Sequence, residues 1–154
     1  MPKDLIRETV PASANAVFAI IHDYGRRLEW DTLLSAAWID GGAERAGLGV
    51  VTTCQAVKIL GSIKMRTKYI SFQPGKVAAV KLVNRPLFFE RFAASIRHIE
   101  AGENRSHVLY EYNFKARPRF LQPLLHPIMK RMLKWETRKR LSSLRTYIEK
   151  GRGV

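Results

Sequence analysis

One cysteine, Cys54, stands in the whole sequence. No disulfide can form within the chain, which fits a reducing compartment. With no base near it in sequence, Cys54 reads as a small core residue. Long apolar runs are missing too, and none approaches the ~20 residues that a spanning helix needs. The opening stretch, Met1 to Val10, has no apolar h-region, so no secretory signal is expected and a cytoplasmic location is. The histidines, His22, His98, His107 and His126, show neither H-x-H nor H-x-x-x-H spacing. Beside a lone cysteine they suggest no metal site. G-x-S-x-G and the phosphate-loop pattern G-x-x-x-x-G-K are absent. Gly47-Leu48-Gly49 lacks the third glycine of a dinucleotide fingerprint and leads into a strand. No catalytic residue and no cofactor is expected.

Acidic side chains are scarce. Lys and Arg number 27 against 13 Asp and Glu, a net charge of +14. The excess is uneven: residues 115–154 carry 12 basic and 2 acidic side chains, residues 1–114 carry 15 and 11. A positive field at one end of the chain favours anionic partners, and it also suits a merely solvated helix face.

What is present is a globular composition. The chain has 154 residues, 46% of them apolar, enough for one domain over residues 1–154 with a substantial core. Leu5 to Val10 reads as a strand that Pro11 ends, since proline has no N–H to donate. Ser13 is placed to cap a helix whose one face holds Ala14, Val17, Phe18 and Ile21, with Gly25 as its C-cap. A second short helix is expected over Arg27 to Leu34, carrying Trp30. The period then changes to two. Strands are expected at Ser35–Asp40, Leu48–Leu60, Ile63–Phe72, Lys76–Arg85, Leu87–Glu100 and Arg105–Arg117. Gly61-Ser62 and Pro74-Gly75 mark tight turns between them. Short connections make neighbouring strands antiparallel. From about Leu124 to Glu149 the pattern is helical, with Pro123 and Pro127 in the lead-in or first turn. Leu125, Ile128, Met129, Met132 and Glu136 form one face. Leu133, Leu141, Leu144 and Ile148 form another, a drift that a bend near Trp135 would explain.

Alternation assigns the strand faces. Lys64, Arg66 and Lys68 oppose Met65, Thr67 and Tyr69. Arg91 and Arg97 oppose Phe88, Glu90, Phe92, Ala94, Ile96 and His98. Glu111, Asn113, Lys115 and Arg117 oppose Val108, Tyr110, Tyr112 and Phe114. The sheet so described has a basic outer face and an aromatic inner face, and such an inner face needs a helix to cover it.

This order resembles the Bet v 1-like, or START-like, helix-grip superfamily, and within it the polyketide cyclase/dehydrase and lipid-transport group. The matching signs are Val10-Pro11-Ala12-Ser13, the helix Val17 to Tyr24, the following Trp30, the run of strands and the long last helix. The resemblance implies an α+β helix-grip fold: a curved antiparallel sheet of about seven strands around the C-terminal helix, with two short helices after the first strand. It also implies a cavity between sheet and helix that binds a hydrophobic small molecule or lipid. The expected lining is Trp30, Met65, Tyr69, Phe92, Tyr110, Tyr112, Met129, Met132 and Glu136. A solid core would use the same aromatic rings.

Glu90 and His98 both fall on the inward register. Eight residues apart on one strand, they stand ~26 Å from each other and cannot act as a pair. On the last helix, Lys130, Lys134, Arg138 and Arg145 recur on one side, with Arg131 close by and Trp135 at the edge. Basic residues beside an interfacial tryptophan suit an anionic bilayer surface. Nucleic acid fits poorly, because it needs aromatic and basic residues together on an exposed face. Two readings of function remain: a carrier of an apolar ligand, peripheral at the membrane, and a cyclase/aromatase-like enzyme holding its substrate in the same cavity.

Overall fold

The computed structural model describes residues 2–151. β1 runs from Lys3–Val10, and Pro11 ends it as the missing N–H requires. Ser13 caps α1, Ala14–Ile21: its Oγ accepts the Ala16 N–H at 3.2 Å. The apolar face of α1 buries Ala14, Val17, Phe18, Ile20 and Ile21. The helix closes on His22, whose N–H reaches the Phe18 carbonyl, so Gly25 is not its cap. Gly25 lies inside a 3-10 helix, Tyr24–Glu29, and Trp30 follows that helix rather than riding on it.

The remaining strands are β2 (Leu34–Ile39), β3 (Val51–Ala56), β4 (Lys64–Gln73), β5 (Val77–Leu82), β6 (Phe89–Glu100) and β7 (Ser106–Ala116). Their order in the sheet is β1-β7-β6-β5-β4-β3-β2, antiparallel at every step. The sheet is curved, and the chain's first and second strands form its two edges. β3 is shorter than the alternation suggests. A 3-10 turn at Lys58–Leu60 and left-handed Gly61 lengthen the connection to β4, so Gly61-Ser62 is not a two-residue hairpin.

α2 spans Gln122–Glu149 and lies chiefly over β1 and β7. Its buried positions, Met129, Thr137, Leu141, Leu144, Tyr147 and Ile148, continue through half-buried Leu125 and Leu133 in one stripe. No bend at Trp135 is needed. The apparent drift arises from Ile128 and Met132, which are about half exposed and do not belong to the buried face. Under α2 lies the main core, in which Val10, Val17, Val108, Phe114 and Leu144 are fully enclosed. The opposite face of the sheet is basic, with Lys64, Arg66, Lys68, Lys81, Arg91 and Arg97 all exposed.

Candidate ligand-binding site

Cross-strand register fixes which side chains share the concave face. Tyr110 of β7 stands opposite Ile96 of β6, which stands opposite Ala78 of β5. Leu82 of β5 stands opposite Thr67 of β4, and Met65 of β4 opposite Cys54 of β3. Directly paired residues point the same way, so Cys54, Met65, Thr67, Leu82, Ile96 and Tyr110 all face inward, together with Val80 and Phe92. Yet these side chains are only half-buried, unlike Val108, Tyr112 and Phe114 beneath the helix. The reason is the seat of α2. The helix closes the β1–β7 side of the sheet and leaves the middle strands less covered. Met65, Val80, Leu82, Phe92, Ile96 and Tyr110 pack partly buried against the edge of the main core on this less-covered side, which makes it the candidate groove. Leu133 and Glu136 are the half-buried helix residues on its α2 side.

A charged group closes one wall. Asp31, its side chain wholly enclosed, accepts the Arg140 Nε at 2.7 Å and the Arg27 Nε at 3.0 Å on the same oxygen. Its other oxygen accepts the Leu33 N–H at 3.2 Å. Burial opposes the Asp31 charge, but Arg140 and then Arg27 outweigh it and hold the carboxyl below its usual range. Burial likewise opposes the Arg27 charge, and Asp31 more than restores it. The Arg27 guanidinium lies 4.8 Å from the Trp30 ring centre and 5.7 Å from that of Tyr24, a cation–π seat that fixes its plane. Burial raises the Cys54 thiol and the Tyr110 hydroxyl, and the charges of both arginines oppose those shifts. Glu136 is raised by burial, with Arg140 opposing that shift.

The expected lining residues divide in three. Met65, Phe92 and Tyr110 lie partly buried on the less-covered inner face of the sheet, and Glu136 lies partly buried on α2. Trp30, Tyr112 and Met129 are buried in the main core beside them. The Tyr112 hydroxyl is enclosed with no hydrogen-bond partner among the described residues, and burial pushes its pKa up to about 12. Tyr69 and Met132 lie elsewhere. Tyr69 belongs to a second cluster, with Phe18, Tyr24 and Ala78, at the α1 end of the sheet. Its hydroxyl meets the His22 Nδ1 at 2.6 Å and the Tyr24 hydroxyl at 3.2 Å, and Tyr24 accepts from Thr52. A register shift between Tyr69 and Ser71 in β4 accompanies this turn toward α1. Met132 sits one turn before Glu136 on the flank of α2, at the rim and not in the lining.

Glu90 is not an inward residue. The register shifts between Phe89 and Arg91, so Phe89 takes the buried position while Phe88 and Glu90 move outward. Glu90 then lies 3.4 Å from Arg85 on the surface side. His98 is buried as the alternation requires, and neither ring nitrogen has a partner among the described residues. Of the basic stripe, Lys134 and Arg138 border a surface groove of about 520 Å³ with Arg131, Trp135 and Lys139. Lys130 is exposed nearby. Arg145 is engaged elsewhere, bonding Glu8 at 3.1 Å and Glu149 at 2.8 Å.

The sequence reading missed the Arg27–Asp31–Arg140 group. The i, i+4 spacing of Arg27 and Asp31 was a visible signal, but nothing local links Asp31 to Arg140. Among the described residues no three His, Cys, Asp or Glu side chains cluster to hold a metal. No helix among them is long and apolar enough to cross a membrane.

Comparison with known proteins bears on this geometry. A family model described as polyketide cyclase/dehydrase and lipid transport matches residues 6–149. Among curated protein sequences none matches. Solved structures do. A START superfamily protein from Mycobacterium smegmatis superposes with a TM-score of 0.78 at 13% identity, covering 96% of this chain and 97% of that one. A protein from Thermus thermophilus gives 0.81 at 11% identity, covering 97% and 99%. The Zhui aromatase/cyclase from a Streptomyces species gives 0.78 at 13% identity, covering 96% and 93%. At such identities the likeness is one of fold.

Proposed function

Since the chain belongs to the polyketide cyclase/dehydrase and lipid transport family, we propose that it binds a hydrophobic small molecule or lipid in the groove between the middle strands and α2, and carries or presents it. One observation supports this above the rest: Met65, Phe92 and Tyr110 face the concave side of a covered sheet yet are only partly buried. Apolar walls with a few polar groups are what small-molecule sites have in common. The test is extraction of the freshly purified protein with organic solvent, followed by mass spectrometry. A stoichiometric apolar compound is the expected result. Empty extracts, together with no binding of apolar probes, would defeat the reading.

Delivery at an anionic membrane extends the proposal. Phe120 is 80% exposed and Leu124 60%, and α2 continues this line through half-exposed Ile128 and Trp135. Lys130, Arg131, Lys134, Arg138 and Lys139 flank it. At ~1 kcal/mol per basic residue near an anionic surface, the group supplies weak, salt-sensitive docking. Arg145 lends it little, being held by Glu8 and Glu149. Vesicles containing phosphatidylserine should sediment with the protein at low salt and release it at high salt. Equal binding by a Lys130/Lys134/Arg138→Ala variant would remove this part.

A second reading, a cyclase/aromatase-like enzyme, draws on Glu136. Burial raises its carboxyl, and a half-buried acid bordering an apolar groove is placed to donate a proton to a bound substrate. The carrier ranks first because, among the described residues, no base stands paired with Glu136.

A further inference from the structure

We propose that the groove takes an amphipathic monoanion, with its carboxylate seated on the guanidinium groups of Arg27 and Arg140 and its apolar body along Met65, Phe92 and Tyr110. This rests on the groove being the ligand site and adds the chemistry of the ligand's head.

The hydrogen bonding carries the argument. Arginine and carboxylate commonly meet through two parallel bonds. Here each arginine gives Asp31 only its Nε, and both use the same oxygen. No hydrogen bond to a described residue uses the Nη groups of either arginine, and none of those atoms is an enclosed, unpartnered donor. They are therefore open to an acceptor from outside the chain. Each guanidinium has five N–H donors, so four nitrogens remain between the pair.

Charge points the same way. Two arginines and one aspartate leave a single uncompensated positive charge in a confined place, where an unpaired charge is costly. The neighbouring acid is Glu136, whose carboxyl burial raises while Arg140 opposes the shift; among the described residues it makes no ion pair with either arginine. One anionic group from a ligand would complete the set.

Position supplies the rest. The arginines come from opposite sides, Arg27 from the 3-10 helix and Arg140 from α2. Trp30 and Tyr24 hold the Arg27 plane in place before any ligand arrives, so little ordering is left for binding. A tie between the 3-10 helix and α2 would need the Nε bonds alone. It would not need two guanidinium groups whose Nη nitrogens make no hydrogen bond to a described residue.

The experiment compares three probes of one chain length on the full, delipidated protein by calorimetry: dodecanoate, methyl dodecanoate and dodecylamine, in 0.5 M salt to screen the outer lysines. Dodecanoate should bind at least about tenfold more tightly than the ester, the worth of a charge-assisted hydrogen bond, and the amine most weakly. In Arg140→Gln the acid-to-ester ratio should fall toward one. Asp31 keeps Arg27 and the Leu33 N–H in that variant, and circular dichroism would verify its fold. Equal binding of acid and ester by the unmodified protein overturns the proposal and leaves the groove standing. A preference that survives in folded Arg140→Gln overturns it as well. If none of the three binds, the groove itself is rejected and the proposal falls with it.

Discussion

The Nε of Arg140 lies 2.7 Å from the Oδ2 of Asp31, a contact between residues 109 positions apart. It joins the third quarter of α2 to the loop that ends the 3-10 helix. The Asp31 side chain is wholly enclosed, while those of Arg27 and Arg140 are 12% and 17% exposed. Removing the carboxylate strands two confined cations. Asp31→Asn should therefore destabilise the fold by about 3–5 kcal/mol, the range for breaking a buried pair by losing one partner. The surface pair Arg26–Glu29 is about half exposed on both sides, and Arg26→Gln should change stability far less. Urea midpoints of the two variants check the contrast. Similar losses in both would contradict the weight given to Asp31.

Acid should unfold the protein early, through two histidines. His22 lies among Phe18, Tyr69, Phe72 and His98, and burial first, then Arg27 and His98, bring its pKa down to about 3. His98 packs edge-on to Phe18, and burial brings it to about 4. Both are neutral when folded and take up a proton more readily when unfolded. The unfolded chain thus binds more protons below the ordinary histidine value of 6.5. Their neutral-state stability is present in full above that value and is lost as pH falls toward 4 and then 3. Asp31, held low, adds a loss in the same direction at still lower pH. Melting temperatures from pH 8 to pH 4 should stay level and then drop below about 6.5. His98→Leu removes two unpartnered buried nitrogens. It should raise stability at pH 7 by about 1 kcal/mol and soften the acid limb.

The turn between β4 and β5 is a third place to test. Gly75 has φ +77, and a Cβ there would collide with the Asn15 Oδ1 on α1. Gly75→Ala should cost about 1 kcal/mol of left-handed strain plus a smaller amount for swinging the exposed Asn15 side chain aside. In an Asn15→Ala background the clash is gone and only the strain, about 1 kcal/mol, should remain. A double-mutant cycle on denaturant midpoints separates the two. Equal costs in both backgrounds would show that α1 does not approach the turn this closely.

Much of this architecture was legible in the chain. Period-two runs ending at Pro11, Pro74 and Gly102, and the cap at Ser13, express backbone chemistry that acts within a few residues. The failures at the site came from longer-range events. The register shift beside Phe89 turned Glu90 outward, and a bulge of this kind inverts the faces that alternation assigns. Tyr69 was placed on the correct face but under the wrong cover, since that face is covered by α1 at one end and α2 at the other. Met132 and Ile128 read as buried because they are apolar. Only the lie of α2 on β1 and β7 shows that the helix turns them outward. Arg140 reads as one more charge in a basic helix until the fold carries it to Asp31.

Phe120 offers the last test, since it separates a surface made for contact from one that merely tolerates apolar residues. It precedes α2 in the 3-10 turn Arg119–Leu121, at the same end of the sheet as Leu87 and Phe88. All three are exposed, and Arg85, Arg117 and Arg119 stand among them. Such a side chain gains little from the fold, so Phe120→Ser should shift stability by no more than about 0.5 kcal/mol. Against a bilayer the same ring would be buried, and its loss should weaken binding to phosphatidylserine vesicles about tenfold or more. Leu124→Ser should act in the same sense with a smaller effect. Vesicle flotation, paired with a denaturant titration of each variant, measures both quantities. Unchanged vesicle binding with unchanged stability would mean that this end of the molecule does not enter the bilayer, and docking would then rest on the charges of α2 alone.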